Sequence, residues 1–312
     1  SQDHSKLAYS LDREGDEIYR LYVKDLASGA VTELPFDNCD GSMTWANDSQ
    51  TLFYGELDDT HRPHKIYRHC LGDTDSSEVY HDPDGRFFVH CYRASSDRQL
   101  VILSHSKTTS EAWVLSADQP EGSWTCLAPR QEDHEYFPDH GLYEGQWRWL
   151  IRSNQAGINF ALYHASEAEP GREHWQELVP HDDAVMLEDV SLNAEAITLT
   201  LRESGLPVIE VRPQGVQPYR LQLPDAAYSL HVQNSLEFTS TVIRLRYEAL
   251  NRPAQIRQLT LADGTQEVLK ETPVEGPFDA DAYESRRIWA TAQDGTQIPI
   301  SQIGRASCRE RV

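Results

Sequence analysis

The feature that most restricts this chain is a unit of four short strands, read most cleanly from residue 43 onward. Met43-Thr44-Trp45-Ala46 reads as a strand, Asn47-Asp48-Ser49-Gln50 as a polar turn, and residues 51–57 as a second strand. A charged, Pro-containing loop leads to a third strand at 65–71, and a fourth follows at 77–81 after a Gly-Asp turn. Four antiparallel strands in succession make one propeller blade.

The same grammar recurs at residues 7–36, 88–127, 136–179, 186–223 and 228–270, the last with an Asp263-Gly264 hairpin turn. Repeats of about 40 residues carrying four short strands are the signature of a β-propeller. A two-sheet sandwich competes, but it seldom needs so many units of one length. Helical periodicity is nearly absent. The expected fold is therefore an all-β propeller with about six blades in residues 1–278. The first unit shows three strands where its neighbour shows four, and Ser1 to Lys6 reads as a turn between strands, so the chain is expected to start inside a blade. From residue 279 the rhythm breaks: residues 283–291, an Asp294-Gly295 turn and residues 296–301 read as a hairpin that opens another element.

Charge narrows the function. Lys and Arg number 28 against 50 Asp and Glu, a formal net charge of −22, which argues against a nucleic-acid partner. It suits cationic substrates drawn in by a long-range field, and equally suits acidic loops that only keep a β protein in solution. No window approaches the roughly 18 apolar residues of a membrane helix. The five cysteines are scattered with no CxxC pair, which fits reduced thiols in a cytoplasmic protein.

Several strings together resemble the oligopeptidase B branch of the prolyl oligopeptidase family of serine peptidases. They are Trp45-Ala46-Asn47-Asp48-Ser49, Tyr67-Arg68-His69, Thr108-Thr109-Ser110-Glu111, Asp133-His134-Glu135-Tyr136 with Asp139-His140, Arg152-Ser153-Asn154 with Asn159-Phe160, Met186-Leu187-Glu188, Arg244-Leu245-Arg246-Tyr247 and Asp294-Gly295-Thr296. The resemblance implies a seven-bladed propeller that caps an α/β-hydrolase domain carrying Ser, Asp and His, with cleavage of short peptides after Arg or Lys. It also implies that the chain holds six of the seven blades, that residues 279–302 are the first hairpin of the hydrolase domain, and that the rest of that domain is missing. Residues 303–312 are similar to one reading frame of a sequencing-library adapter and are set aside from fold reasoning.

A hydrolase-fold nucleophile needs Gly-x-Ser-x-Gly geometry. The only glycines four apart are Gly141 and Gly145, with Tyr143 between them, so no catalytic residue is assigned and the chain alone is expected to be inactive. Nor is a metal or cofactor expected. In the run from His134 to His140, Pro138 stands where HExxH needs its second His. Asp73-Thr74-Asp75 alternates oxygens like a calcium loop but lacks its Gly and Glu. Three residues remain as substrate-binding candidates: Arg152 and Asn154 at one strand end, and Arg202 at the corresponding end in the next unit. Each has two readings, an inter-blade ion pair or turn cap, and a loop on the face toward a catalytic cavity. The partners expected of the intact enzyme are short basic peptides and the hydrolase domain in cis, with no nucleic acid and no membrane. The rival reading is a free-standing propeller that binds a protein or small ligand.

Overall fold

The computed structural model describes residues 1–233, 235 and 237–305, and the described residues form sheets joined by turns, with two short 3-10 segments and no α-helix. Residues 306–312, most of the tail read as adapter-like, lie outside them; Ile303, Gly304 and Arg305 complete a hairpin strand. The chain divides into two compact units, the first built from residues 1–141, 147–155 and 162–179, the second from 142–146, 156–161 and 180–312.

The first unit begins with β1 (Lys6–Asp12), β2 (Tyr19–Asp25) and β3 (Val31–Glu33), followed by β4 (Cys39–Trp45), β5 (Thr51–Leu57), β6 (Pro63–Cys70) and β7 (Ser77–His81). The two meanders, expected as separate units, join into one seven-stranded sheet through the pairing of Tyr19 with Cys39. Strand β4 starts four residues earlier than its alternation suggests, because its register against β5 is irregular between Cys39 and Met43. The turn after it is built as Asx chemistry dictates: Asp48 accepts from the backbone of Gln50 at 2.9 Å and Thr51 at 2.8 Å, while Ser49 takes the left-handed conformation.

Next comes the meander β8 (Phe88–Arg93), β9 (Gln99–His105), β10 (Ser110–Ser116) and β11 (Thr125–Ala128). Its apolar face meets the preceding sheet, with Phe53 and Ile66 packed among Val89, Leu100, Ile102 and Leu115. Each such side chain is worth roughly 1.5–3 kcal/mol of burial. Polar groups stitch the same sheets together: Thr44 Oγ1 donates to Cys91 O at 2.9 Å, and Arg93 to Trp45 O at 3.1 Å. Arg130 lies 3.9 Å over the Phe87 ring and is paired with the buried Asp82.

A third sheet runs β12 (Tyr136–Tyr143), β13 (Gln146–Ser153), β14 (Ala161–Ser166) and β15 (Gln176–Val179). The sequence suggests only 141–143 for its first strand; Pro138 is tolerated within β12 because this is an edge strand, paired on one side only, where alternate N–H groups are not needed for the ladder. In the second unit β16 (Val185–Leu192), β17 (Ala196–Glu203), β18 (Leu206–Pro213) and β19 (Tyr219–Arg220) form one meander, and β20 (Tyr228–Gln233), β21 (Val242–Ala249), β22 (Arg252–Thr260) and β23 (Gln266–Glu271) the next. Ile209, Val211, Leu230, Ile243, Leu245, Tyr247 and Leu259 make their shared core. The hairpin expected at the end is present as β24 (Tyr283–Thr291) and β25 (Gln297–Arg305). No helix among the described residues is long and apolar enough to cross a membrane.

Candidate functional site

In the first unit the strand end at Arg152 and Asn154 is committed to structure. Strand β13 buries Trp149, Leu150 and Ile151, and its last residue, Ser153, is fully buried with its hydroxyl 2.8 Å from His134 Nε2. Asn154 Oδ1 accepts from Glu135 N at 2.9 Å and Nδ2 donates to Asp133 O at 3.2 Å, clipping this end to the segment that enters β12. The Arg152 guanidinium stacks 4.5 Å over Phe137 in the same sheet. The histidines that prompted a metal reading are absorbed likewise. His140 is fully buried, hydrogen-bonded at 2.7 Å to Ser96 and stacked on Trp147. Burial holds the pKa of both His134 and His140 down to about 4, Arg172 adding to the effect at His134 and Glu167 opposing it at His140.

A hollow of about 440 Å³ in this unit is lined by Arg86, Phe87, Lys107, Arg130 and Glu132 among others. Its two guanidinium groups are already neutralised, Arg86 by Asp84 at 2.7 Å and Arg130 by Asp82 at 2.5 Å.

The third candidate lines a cavity. Strand β16 shifts register against β17 between Leu187 and Asp189, which leaves Glu188 as the extra residue of a bulge and turns its carboxylate toward Arg202. Arg202 answers with two hydrogen bonds, Nε and Nη2 each meeting one oxygen, the second at 3.1 Å. The two-residue turn Ser204-Gly205 follows, both in the left-handed region that a tight hairpin demands. Arg287 reaches this turn from β24 and donates from Nη2 to Ser204 O at 2.7 Å. Between these elements opens a space of about 450 Å³, lined by Asp189, Thr200, Arg202, Tyr228, Ser229, His231, Arg287 and Ser301 among others. A smaller hollow of about 300 Å³ adjoins it through Tyr228, Ser229 and Ser301. Ser229 Oγ lies 3.1 Å from His231 Nε2, as the two-residue period of a strand places them. Burial raises the Tyr228 hydroxyl above its ordinary pKa against the pull of Arg287, so it stays protonated at neutral pH.

Residues 1–272 match the family model described as "Prolyl oligopeptidase, N-terminal beta-propeller domain". The chain belongs to the prolyl oligopeptidase family. Each meander is thus a blade of that domain. Among characterised relatives, the chain is similar to dipeptidyl aminopeptidase BI of Pseudoxanthomonas mexicana, 32% identical over 311 residues, and to protease 2 of Moraxella lacunata, 26% identical over 307. The first alignment covers 98% of this chain and 42% of the relative, the second 96% and 43%. Among solved structures, oligopeptidase B of Trypanosoma brucei, in a closed form with covalently bound antipain, superposes with a TM-score of 0.84 at 26% identity, covering 98% of this chain and 44% of that one. Oligopeptidase B of Leishmania major shares the fold, with a TM-score of 0.85 at 24% identity over the same 98% and 44%. The chain spans less than half the length of these prolyl oligopeptidase-family relatives, in which the propeller is the N-terminal part of a longer peptidase.

By its place at a strand end the sequence singled out Arg202, which lies on the wall of the larger hollow of the second unit, paired with Glu188. It gave no signal for Arg287 or Tyr228, which arrive from elements distant in the chain, and it offered Glu188 only within a family-like string.

Proposed function

We propose that this propeller covers a serine-type hydrolase domain in cis and restricts its substrates to short, flexible, basic peptides cleaved after Arg or Lys in the cytoplasm. The observation that carries the reading is the match of residues 1–272 to the N-terminal propeller of a peptidase family, with the relatives more than twice as long as the aligned chain. The physical logic is steric, since an extended peptide can enter between two domains that part and a folded protein cannot. Residues 1–305 alone carry no Gly-x-Ser-x-Gly nucleophile and are inactive on this reading. The name of the Pseudoxanthomonas mexicana relative supports a second reading, release of dipeptides from a free amino terminus.

The test is to express residues 1–305 alone and together with the gene's downstream sequence, and assay both on Arg- and Lys-containing peptidyl amides with free and blocked amino termini. Turnover of blocked substrates by the longer protein, abolished by a serine-directed inhibitor and absent from residues 1–305, supports the first reading. Turnover of free amino termini alone supports the second. No turnover of either leaves the binding-module reading.

A further inference from the structure

We infer that the Arg287 cavity is a carboxylate-binding site that takes the C-terminal carboxylate of a short peptide. This rests on the proposed function for the identity of the peptide, and on the geometry of the second unit for the site.

Arginines nearby are spent on carboxylates: Arg202 on Glu188, Arg220 on Glu203 at 2.8 Å, and Arg252 on Asp225 at 2.9 Å. Arg287 differs. Among the described residues no carboxylate lies within ion-pair distance of it; Nη2 donates to the Ser204 carbonyl, Nη1 to Ser301 Oγ at 3.3 Å, and Nε is buried without an acceptor. A partly buried guanidinium that meets only neutral acceptors keeps its full charge, and Nη1 and Nη2 each carry a second N–H beyond the one they donate, so an anion in the cavity has both charge and donors to meet. A guanidinium fork has the planar, two-donor geometry that a carboxylate accepts.

The group is also held in place. Gly205 makes room for it, since a Cβ there would come within 2.7 Å of Nη2, and the Trp289 ring lies 5.9 Å from its Cζ. The rest of the cavity suits the ligand. Glu188, the acid that would repel an anion, is neutralised by Arg202, while the hydroxyls of Tyr228, Ser229 and Ser301 offer further donors. Asp189, exposed on the same wall, supplies a carboxylate for a basic side chain of the same peptide. A fixed anchor for a chain terminus limits length, because only a short peptide can hold its carboxylate here and still present a bond to a neighbouring catalytic domain.

The test uses the whole protein and the N-acetylated pentapeptide Ala-Gly-Ala-Gly-Ala, which neither reading of the activity cleaves, as free acid and as C-terminal amide, with binding followed by calorimetry. The acid is expected to bind about tenfold more tightly, equivalent to about 1.4 kcal/mol. Arg287→Gln is expected to abolish that preference and leave affinity for the amide unchanged; Arg287→Lys, which keeps the charge without the fork, should retain part of it. Equal binding of acid and amide by the unmodified protein overturns the proposal. So does an Arg287→Gln variant that weakens both ligands alike, the result expected if the guanidinium serves an Asp or Glu of the protein's own downstream chain. Calorimetry needs no turnover, so a protein that prefers the acid but cleaves no Arg or Lys substrate refutes the peptidase reading and leaves this site standing.

Discussion

Acidification should destabilise this protein well before its carboxylates titrate, through the buried histidines of the first unit. The unfolded chain binds protons on His134 and His140 as pH falls through 6.5, whereas the folded chain keeps both neutral down to about 4. Between those values the unfolded state holds more protons, so stability is full above 6.5, falls as pH drops toward 4, and stops falling below that. At pH 5 the loss is roughly 2 kcal/mol per histidine, from 1.36 kcal/mol per pH unit, which for two residues is a large share of the 5–15 kcal/mol typical of a domain. His69 and His105, also held low by burial, add in the same sense; Glu135, which burial pushes up, works against it as one group against four. Asp82, which burial raises but the Arg130 and Ser104 bonds bring below its ordinary 3.8, loses its contribution only in a lower window. Urea unfolding at pH 7.5, 6, 5.5 and 5 is read by near-ultraviolet circular dichroism, because Trp147 and Trp149 pack on His140 and Trp175 lies beside His134. A flat stability profile from pH 7 to 5 would refute the reasoning, as would an unchanged slope in the double variant His134→Gln, His140→Gln.

Tyr136→Phe should cost roughly 2 kcal/mol in urea unfolding at neutral pH, since the hydroxyl takes Ala112 N at 2.7 Å and gives to Ala128 O at 2.6 Å in a fully buried position. Arg130→Met should cost about 3–5 kcal/mol by leaving the Asp82 carboxylate buried without its cation, and Asp82→Asn in the same background should recover part of that, measured by the same unfolding curves. Gly205→Ala should loosen the β24–β25 hairpin, because the residue sits at φ +77° and its new methyl would displace Arg287; faster proteolytic cleavage near Arg286 than in the unmodified protein is the readout. If acidic surface steers basic substrates, kcat/KM of the full enzyme for Lys peptides should fall as salt rises from 50 to 500 mM by several-fold more than for neutral peptides.

The blades were legible because their signals are local. Asp48 and Ser49 announce a turn by their own chemistry, and the alternation of residues 51–57 announces the strand after it. What escaped was long-range. The sheet join at Tyr19 and Cys39, the irregular start of β4 and the edge placement that lets Pro138 sit in β12 all depend on which strand lies alongside. The candidate site follows the same division. Arg202 could be named from its strand end, but its two hydrogen bonds to Glu188 require a bulge that no spacing reveals, and Arg287 reaches the Ser204 turn across 83 residues.

Residue type misled most where it looked most chemical. The run from Asp133 to His140 carries two histidines and three acids, yet His134 is bound to Ser153, His140 to Ser96, and Asp139 to the backbone and hydroxyl of Ser95. The bonds of Asp139 and His140 reach the turn between β8 and β9 of the preceding sheet, and that of His134 ties the entry of β12 to the end of its neighbour β13, so the polarity of the run is spent on holding strands in place. Arg287 presents a different case, an ordinary strand residue by sequence: His134 Nδ1 and His140 Nε2 are also buried without a hydrogen-bond partner, but both rings stay neutral, whereas Arg287 carries a charge that no carboxylate among the described residues meets. In a fold made of one repeated unit, most polar side chains on the inner strands have a stitching role to fill. A ligand is best sought where that role is filled and charge is left over, and in the second unit that condition points to the cavity between β16, β20 and the hairpin.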